Sequence, residues 1–339
     1  MYPSIPSPVT RLTPQNPDDA RALTARRIGM LCVAGAAMLF ASKGLFGKAL
    51  YERGVGFELL VAVRAVIAMP LFVWFALRRD PKSPAVAADE EAKPLPVKAP
   101  PATKPRPGAV LAAAVAGITC YYVGALVDFW ALTLIDASIE RVLLFSYPAM
   151  VVLWHSVVAR RVPETRILLA MVATYVGIFF AMGGVDLTEL RANLFGASLV
   201  LIAAMTTAIY FLIGERYTRE LGSTRFAAIG MTFSGILLAL HFVVFRSFDE
   251  IARLQAYDWL LLGILGIACM FIPGLLQAEG MRRVGAQRAA IGSSIGPPTT
   301  IVLAALFLGE RLNGWQMLGT ALIVGSVLLL SLSKAGDRS

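Results

Sequence analysis

Charge is what this sequence is short of. Only 16% of its 339 residues are Asp, Glu, Lys or Arg, and 57% are hydrophobic, whereas a soluble domain carries roughly 25% charge. That composition cannot make a solvated globular surface, so the chain reads as a polytopic membrane protein. Histidine is scarce too, with His155 and His241 the only two, which leaves little base for hydrolytic chemistry. The three cysteines, Cys32, Cys120 and Cys269, sit one each inside apolar runs without CxxC or Cys/His spacing. They read as small buried hydrophobes, not as metal or redox groups. Neither H-E-x-x-H nor a Walker A motif occurs, so zinc proteolysis and direct ATP drive lack support. No cofactor, no metal and no enzymatic activity are expected. The first 25 residues are polar and proline-rich, and the first apolar run is long enough to stay in a membrane, so no cleavable signal peptide is expected either.

What is present is apolar length. Runs fall at 28–50, 56–77, 109–134, 138–159, 165–184, 194–214, 224–246, 257–280, 284–308 and 314–333, each near the length that crosses a bilayer as a helix. They predict an all-α protein with ten transmembrane helices. If the ten alternate, 22 of the 31 Lys and Arg fall on one side and 7 on the other, with Lys43 and Arg64 inside spans. The basic side is the cytoplasmic one, which puts both termini there. The net charge of +9 is thus an orientation signal and not a nucleic-acid footprint. Residues 1–27 and 334–339 are expected to be cytoplasmic tails, the first of them disordered. Residues 78–107, rich in Pro, Ala and Lys, are expected to be a solvated, disordered cytoplasmic loop.

The chain contains its own copy. Arg288 to Leu330 holds two apolar runs around the turn Gly309-Glu310-Arg311-Leu312-Asn313, and Ile139 to Gly177 has the same layout around Arg160-Arg161-Val162-Pro163-Glu164. Pairing Pro148 with Pro297 sets an offset of 149, while Ala36-Ala37-Met38 recurs as Ala203-Ala204-Met205 at an offset of 167. The extra 18 residues fit in the 78–107 loop. Five spans per half is an odd number, so the halves 28–184 and 194–333 must insert upside down relative to each other as inverted repeats.

Charges inside a bilayer are costly, which singles out Lys43, Arg64, Asp128 and Glu279. At 1.5 Å per residue, Lys43, Arg64 and Asp128 all lie about 9–12 Å below the outer ends of their spans. They are expected to converge, with Asp128 pairing one cation and the other left for an anionic group of a substrate. The bland alternative is that Asp128 satisfies one cation while the other snorkels outward. Their counterparts in the second half are Tyr210, Met231 and Gln277, so the set is not mirrored. Glu279, beside Arg282 and Arg283, reads as a helix-end pair, with an inner gate or a proton-coupling carboxylate as the sharper readings. Glu140 and Arg141 read as the start of a span, Glu140 as a cap. Pro148 and the Pro297-Pro298 pair should kink spans 4 and 9 and free carbonyls near the midplane. Tyr147 and Tyr210 are the candidate cavity walls.

Several stretches resemble the drug/metabolite transporter superfamily, EamA-like branch. They are Gly296-Pro297 followed by Leu308-Gly309-Glu310-Arg311-Leu312, Gly319 and Gly325 in the second half, and Glu140 to Pro148 in the first. Ala41 to Lys48 and Glu279 to Gly285 are similar to one subgroup of that branch. The position matching Glu310 in the first copy is Arg161, a departure from a symmetric motif. The resemblance implies a ten-helix inner-membrane transporter of small metabolites, often an exporter. The expected partners are a small-molecule substrate, membrane lipid, and a coupled proton or an exchanged metabolite. Two other classes have a sequence feature to answer. Gly292-Ser293-Ser294-Ile295-Gly296 matches G-x-S-x-G of serine hydrolases, but it lies in an apolar helix and not in a strand-to-helix elbow. A lipid-linked substrate flippase would need a groove open to lipid in place of a closed polar chamber.

Overall fold

The computed structural model describes residues 17–78, 107–158, 165–181 and 187–333. Most of the expected 78–107 loop, the turn holding Arg161, the first part of the N-terminal tail and the tail 334–339 lie outside the described residues. The helices in chain order are α1 (Pro17–Ala41), α2 (Lys43–Glu52), α3 (Phe57–Arg78), α4 (Pro107–Leu134), α5 (Ala137–Leu144), α6 (Tyr147–Val158) and α7 (Thr165–Ala181). They continue with α8 (Leu187–Leu221), α9 (Ser223–Phe245), α10 (Asp249–Ala252), α11 (Ala256–Val284), α12 (Ala286–Gly292), α13 (Gly296–Phe307) and α14 (Gly314–Ser333). There is no strand among the described residues. Seven helical runs among them are long and apolar enough to cross a membrane, and α13 is a shorter apolar helix. The protein is an all-helical, multi-span membrane protein.

The first helix starts at Pro17, earlier than the expected end of a disordered tail at 27. Pro17-Asp18-Asp19 accounts for this, because proline fits the first helical turn and acidic residues there favour the helix dipole.

Side-chain packing follows from what lipid tolerates. Apolar residues cover the outside, among them Leu31, Leu77, Leu306 and Phe307, while the interior is dense with rings such as Phe72, Phe129, Tyr210, Phe211 and Phe226. Where helices cross, small residues let backbones touch. A Cβ on Gly117 in α4 would stand 2.2 Å from the Gly230 Cα in α9, and one on Gly266 in α11 would stand 3.0 Å from the Arg64 carbonyl oxygen in α3. The main pairings are α1 on the C-terminal part of α11, α8 on α4, α3 on α9, and α7 on α14.

Several spans are interrupted. Ser42 separates α1 from α2, where its hydroxyl donates to the Leu39 carbonyl at 2.8 Å. A π segment at Ile118–Gly124 divides α4, and another at Ile267–Phe271 divides α11. Phe145 and Ser146 separate α5 from α6, and a 3-10 turn at Ser293–Ile295 separates α12 from α13. The prolines therefore act differently from the expected mid-helix kinks. Pro148 lies in the first turn of α6, and Pro297 and Pro298 in the first turn of α13. A first-turn proline has no intrahelical bond to lose, so each one restarts a helix after a break that precedes it.

Candidate functional site

The break at Ser42 hands the chain to Lys43, the first residue of α2. Its ammonium forms a buried salt bridge with Asp128 of α4, and Glu140 of α5 stands 3.2 Å away on the same ammonium. Two carboxylates from different spans thus share one cation. Arg64 of α3 lies over the Phe129 ring, 4.2 Å from its centroid, with Lys43 5.6 Å from the same ring. The negative face of an aromatic ring attracts both desolvated cations. The Phe129 backbone is anchored in turn, because the Tyr51 hydroxyl donates to its carbonyl at 2.8 Å.

Arg141 follows Glu140 in a helix buried along its whole length. Its Nη2 donates to the Ala37 carbonyl over 3.4 Å. Its seat is Gly296, where a Cβ would come within 2.6 Å of Nη2. The Gly296-Pro297 sequence therefore has a steric job in this site. Beside it, the Thr300 hydroxyl donates to the Ala41 carbonyl at 3.2 Å, an acceptor freed by the break at Ser42.

These groups border a cavity of about 100 Å³, small against the roughly 300–1,000 Å³ of pockets for drug-sized ligands. Lys43, Arg64, Asp128, Arg141 and Gln277 line it, with Phe40, Tyr121, Phe129, Tyr147 and Phe211 as aromatic walls. Lys43, Arg64, Asp128, Glu140 and Arg141 are all 9% exposed or less. Charged side chains are almost never buried to this extent without partners; among these five, Lys43 pairs with both carboxylates, while Arg64 rests on the Phe129 ring and Arg141 on the Ala37 carbonyl.

The structure thus brings Lys43, Arg64 and Asp128 together and puts Tyr147 on the wall. Tyr210 is one layer back: its ring packs edge-on against Tyr121 at 5.1 Å and against Phe226, and it does not border the cavity. Glu279 belongs to a separate cluster near the end of α11. It accepts hydrogen bonds from Arg282 Nη2 (2.7 Å), Arg283 Nε (2.6 Å) and the Ser223 hydroxyl (2.6 Å). Glu140 is no span-end cap; the cap of α5 comes from Glu310. One Glu310 oxygen accepts from the Ala137 N–H at 3.0 Å, the other from the Ser138 N–H at 3.0 Å and the Ser138 hydroxyl at 2.8 Å. With Glu310 covering the helix start, Glu140 is free to turn inward. The adjacent charges Glu140-Arg141 and the distant Gly296 were the available signals for the missed part of the site. The G-x-S-x-G stretch runs from the end of α12 through the 3-10 turn Ser293–Ile295 into α13 and not from a strand, and the hydroxyl of Ser293, its second residue, donates to the Ala289 carbonyl at 3.0 Å.

Among the described residues no group of three or more His, Cys, Asp or Glu side chains is placed to hold a metal ion. Sequence comparison matches the EamA-like transporter family model twice, over residues 27–183 and 194–332. The chain is 31% identical to the uncharacterized transporter YcbK of Bacillus subtilis over 86% of each chain. It is 24% identical to the uncharacterized inner membrane transporter YicL of Salmonella typhimurium, over 58% of this chain and 65% of that one. A solved crystal structure shares the fold, with a TM-score of 0.61 at 18% identity, covering 94% of this chain and 99% of the other. With two family matches that together span nearly all of the helical bundle, and a cavity of buried charge between them, the chain belongs to the EamA-like transporter family.

Proposed function

We propose that the protein is a secondary transporter in which two inverted five-helix halves, 28–184 and 194–333, move against each other around the charged cavity and expose it to the two sides in turn. In this reading the chain has ten spans, lies in the inner membrane with both termini cytoplasmic, and exports a small molecule.

The observation that carries the reading is how the two halves share the cavity. At the offsets of 149 and 167, Asp128 and Gln277 are equivalent, as are Tyr121 and Met270, Leu144 and Ser293, and Phe40 and Thr207. All eight line the cavity, which is how a site on a repeat interface is built. Local structure supports the same pairing. The π segments begin at Ile118 and Ile267, which are 149 apart, and the close-crossing glycines Gly117 and Gly266 are equivalent as well. The packing of α1 on α11 and of α8 on α4 is one arrangement with the halves exchanged. The charges break this symmetry, since Lys43, Arg64, Asp128, Glu140 and Arg141 all come from the first half. The sequence has no Walker A motif, and in this reading uphill movement draws on a coupled proton or an exchanged metabolite.

The test is solute counterflow in proteoliposomes against amino acids, organic acids and drugs, without ATP. The expected result is transient accumulation of a labelled solute driven by its unlabelled form inside. Movement of labelled lipid between leaflets, with no soluble member of the panel carried, would replace the reading with a flippase.

A further inference from the structure

The cavity holds more positive than negative groups, and two of its cations are short of partners. Arg64 is 6% exposed, its Nε is buried without a hydrogen bond, and no salt bridge reaches it among the described residues. Arg141 is 9% exposed with its Nε in the same condition, and the hydrogen bond from its Nη2 to the Ala37 carbonyl is a long one. Both line the cavity. Asp128 and Glu140 do not relieve them by direct pairing, because both carboxylates face Lys43.

The charge count follows. With both carboxylates ionised, three cations stand against two anions, and one positive charge is left over in a low-dielectric interior where uncompensated charge is costly. A monoanion cancels it. A zwitterion leaves it standing, and a cation doubles it. Asp128 is the carboxylate on the cavity wall; its Oδ2 is bonded to Lys43 and its Oδ1 is buried without a hydrogen bond, so a ligand's ammonium would have to share a carboxylate whose charge Lys43 already offsets. The Arg64 guanidinium rests over Phe129, 4.2 Å from the ring centroid, a contact that restricts its planar fork in advance of any ligand. The remaining walls are aromatic or apolar and suit an apolar body.

We propose that the cavity binds a small organic monoanion, a carboxylate on an apolar body, with its oxyanion on Arg64 and Arg141 as the second donor. This names the substrate class of the transporter's site and rests on that reading only for the claim that the anion is carried.

The test uses the purified full chain and three probes on one carbon skeleton: lactate, lactamide and alanine, an anion, a neutral amide and a zwitterion. Binding is read by calorimetry and by the rise in melting temperature. Lactate is expected to bind at least about tenfold more tightly than the other two, with chloride and inorganic phosphate unable to replace it. Arg64→Gln should remove at least about tenfold of that affinity, and Arg64→Lys should keep part of it, since charge survives without the fork. If Arg64→Gln fails to fold, the three probes on the unaltered chain still decide. Equal binding of lactamide or alanine overturns the proposal. So does binding of inorganic anions alone, or no binding by any carboxylate from acetate to benzoate. Lactate binding without counterflow upholds the anion site and sinks the transport reading. Counterflow of alanine without a preference for lactate does the reverse.

Discussion

Two clusters in this protein each join acidic and basic side chains and differ in reach. Glu279 collects Arg282 and Arg283 from its own helix, three and four residues on, and adds Ser223 from the neighbouring start of α9. Lys43, Asp128 and Glu140 come from three spans, with 85 residues between the first two, and meet only once the bundle has closed. A single turn of helix brings most of the first cluster together and leaves it partly wet, so little depends on it. The second is dry, and removing one partner strands a charge. Asp128→Asn is therefore expected to have the largest effect of any single change considered. It leaves Lys43 with Glu140 alone and should cost about 3–5 kcal/mol, the range for breaking a buried pair. The signs are a sharply lower melting temperature in detergent and loss of counterflow. A variant as stable as the parent would mean that water reaches the cluster and that the contrast between the two is false.

The next change tests whether the cavity is shaped as well as charged. Gly296→Val leaves every charge in place but puts a side chain where the Arg141 guanidinium sits. Overpacking of this kind costs about 1–3 kcal/mol. Counterflow should fall more than stability does, because Arg141 is displaced from the cavity while the pairs of Lys43 remain. Equal transport by Gly296→Val and the parent would remove Arg141 from the site. A smaller effect is expected from Glu310→Ala. It strips the cap from α5, at a cost of about 1–2 kcal/mol for a lost N-cap, and loosens the helix that carries both Glu140 and Arg141. Faster hydrogen exchange at Ala137 and Ser138 is the direct readout.

The contrast also explains what could be read in the chain before its structure. Apolar runs report membrane spans because lipid demands them, and lone charges such as Lys43, Arg64 and Asp128 stand out in those runs because burial demands a reason. Glu140 and Arg141 do not stand out, since charges at the start of an apolar run ordinarily belong to the interface. What turns them inward is Glu310, which lies on a turn 172 residues from Ser138 and takes over the cap. No local pattern carries that information. The prolines misled in a related way: Pro148 and Pro297 mark where helices restart, and the breaks lie in the residues before them. The π segments leave no periodic trace, because one extra residue in a turn shifts the buried face without changing composition. Tyr210 is an aromatic ring near the midplane, and nothing local in the sequence ranks it against Tyr121, which lines the cavity in its place. The Tyr210 ring packs edge-on behind it, 5.1 Å between centroids.

The smallest effect should come from the local cluster. In Glu279→Gln, Ser223 keeps an acceptor, and Arg282 and Arg283, 26% and 18% exposed at their side chains, keep access to solvent that Lys43 lacks. The loss should stay under about 1 kcal/mol, the usual worth of a partly solvated pair, and counterflow should stay within about twofold of the parent at equal expression. Placed beside Asp128→Asn, this variant asks whether reach or residue type decides the consequence. If Glu279→Gln abolishes transport at full stability, the carboxylate at the end of α11 is part of the coupling machinery, and the two clusters differ in role and not in importance.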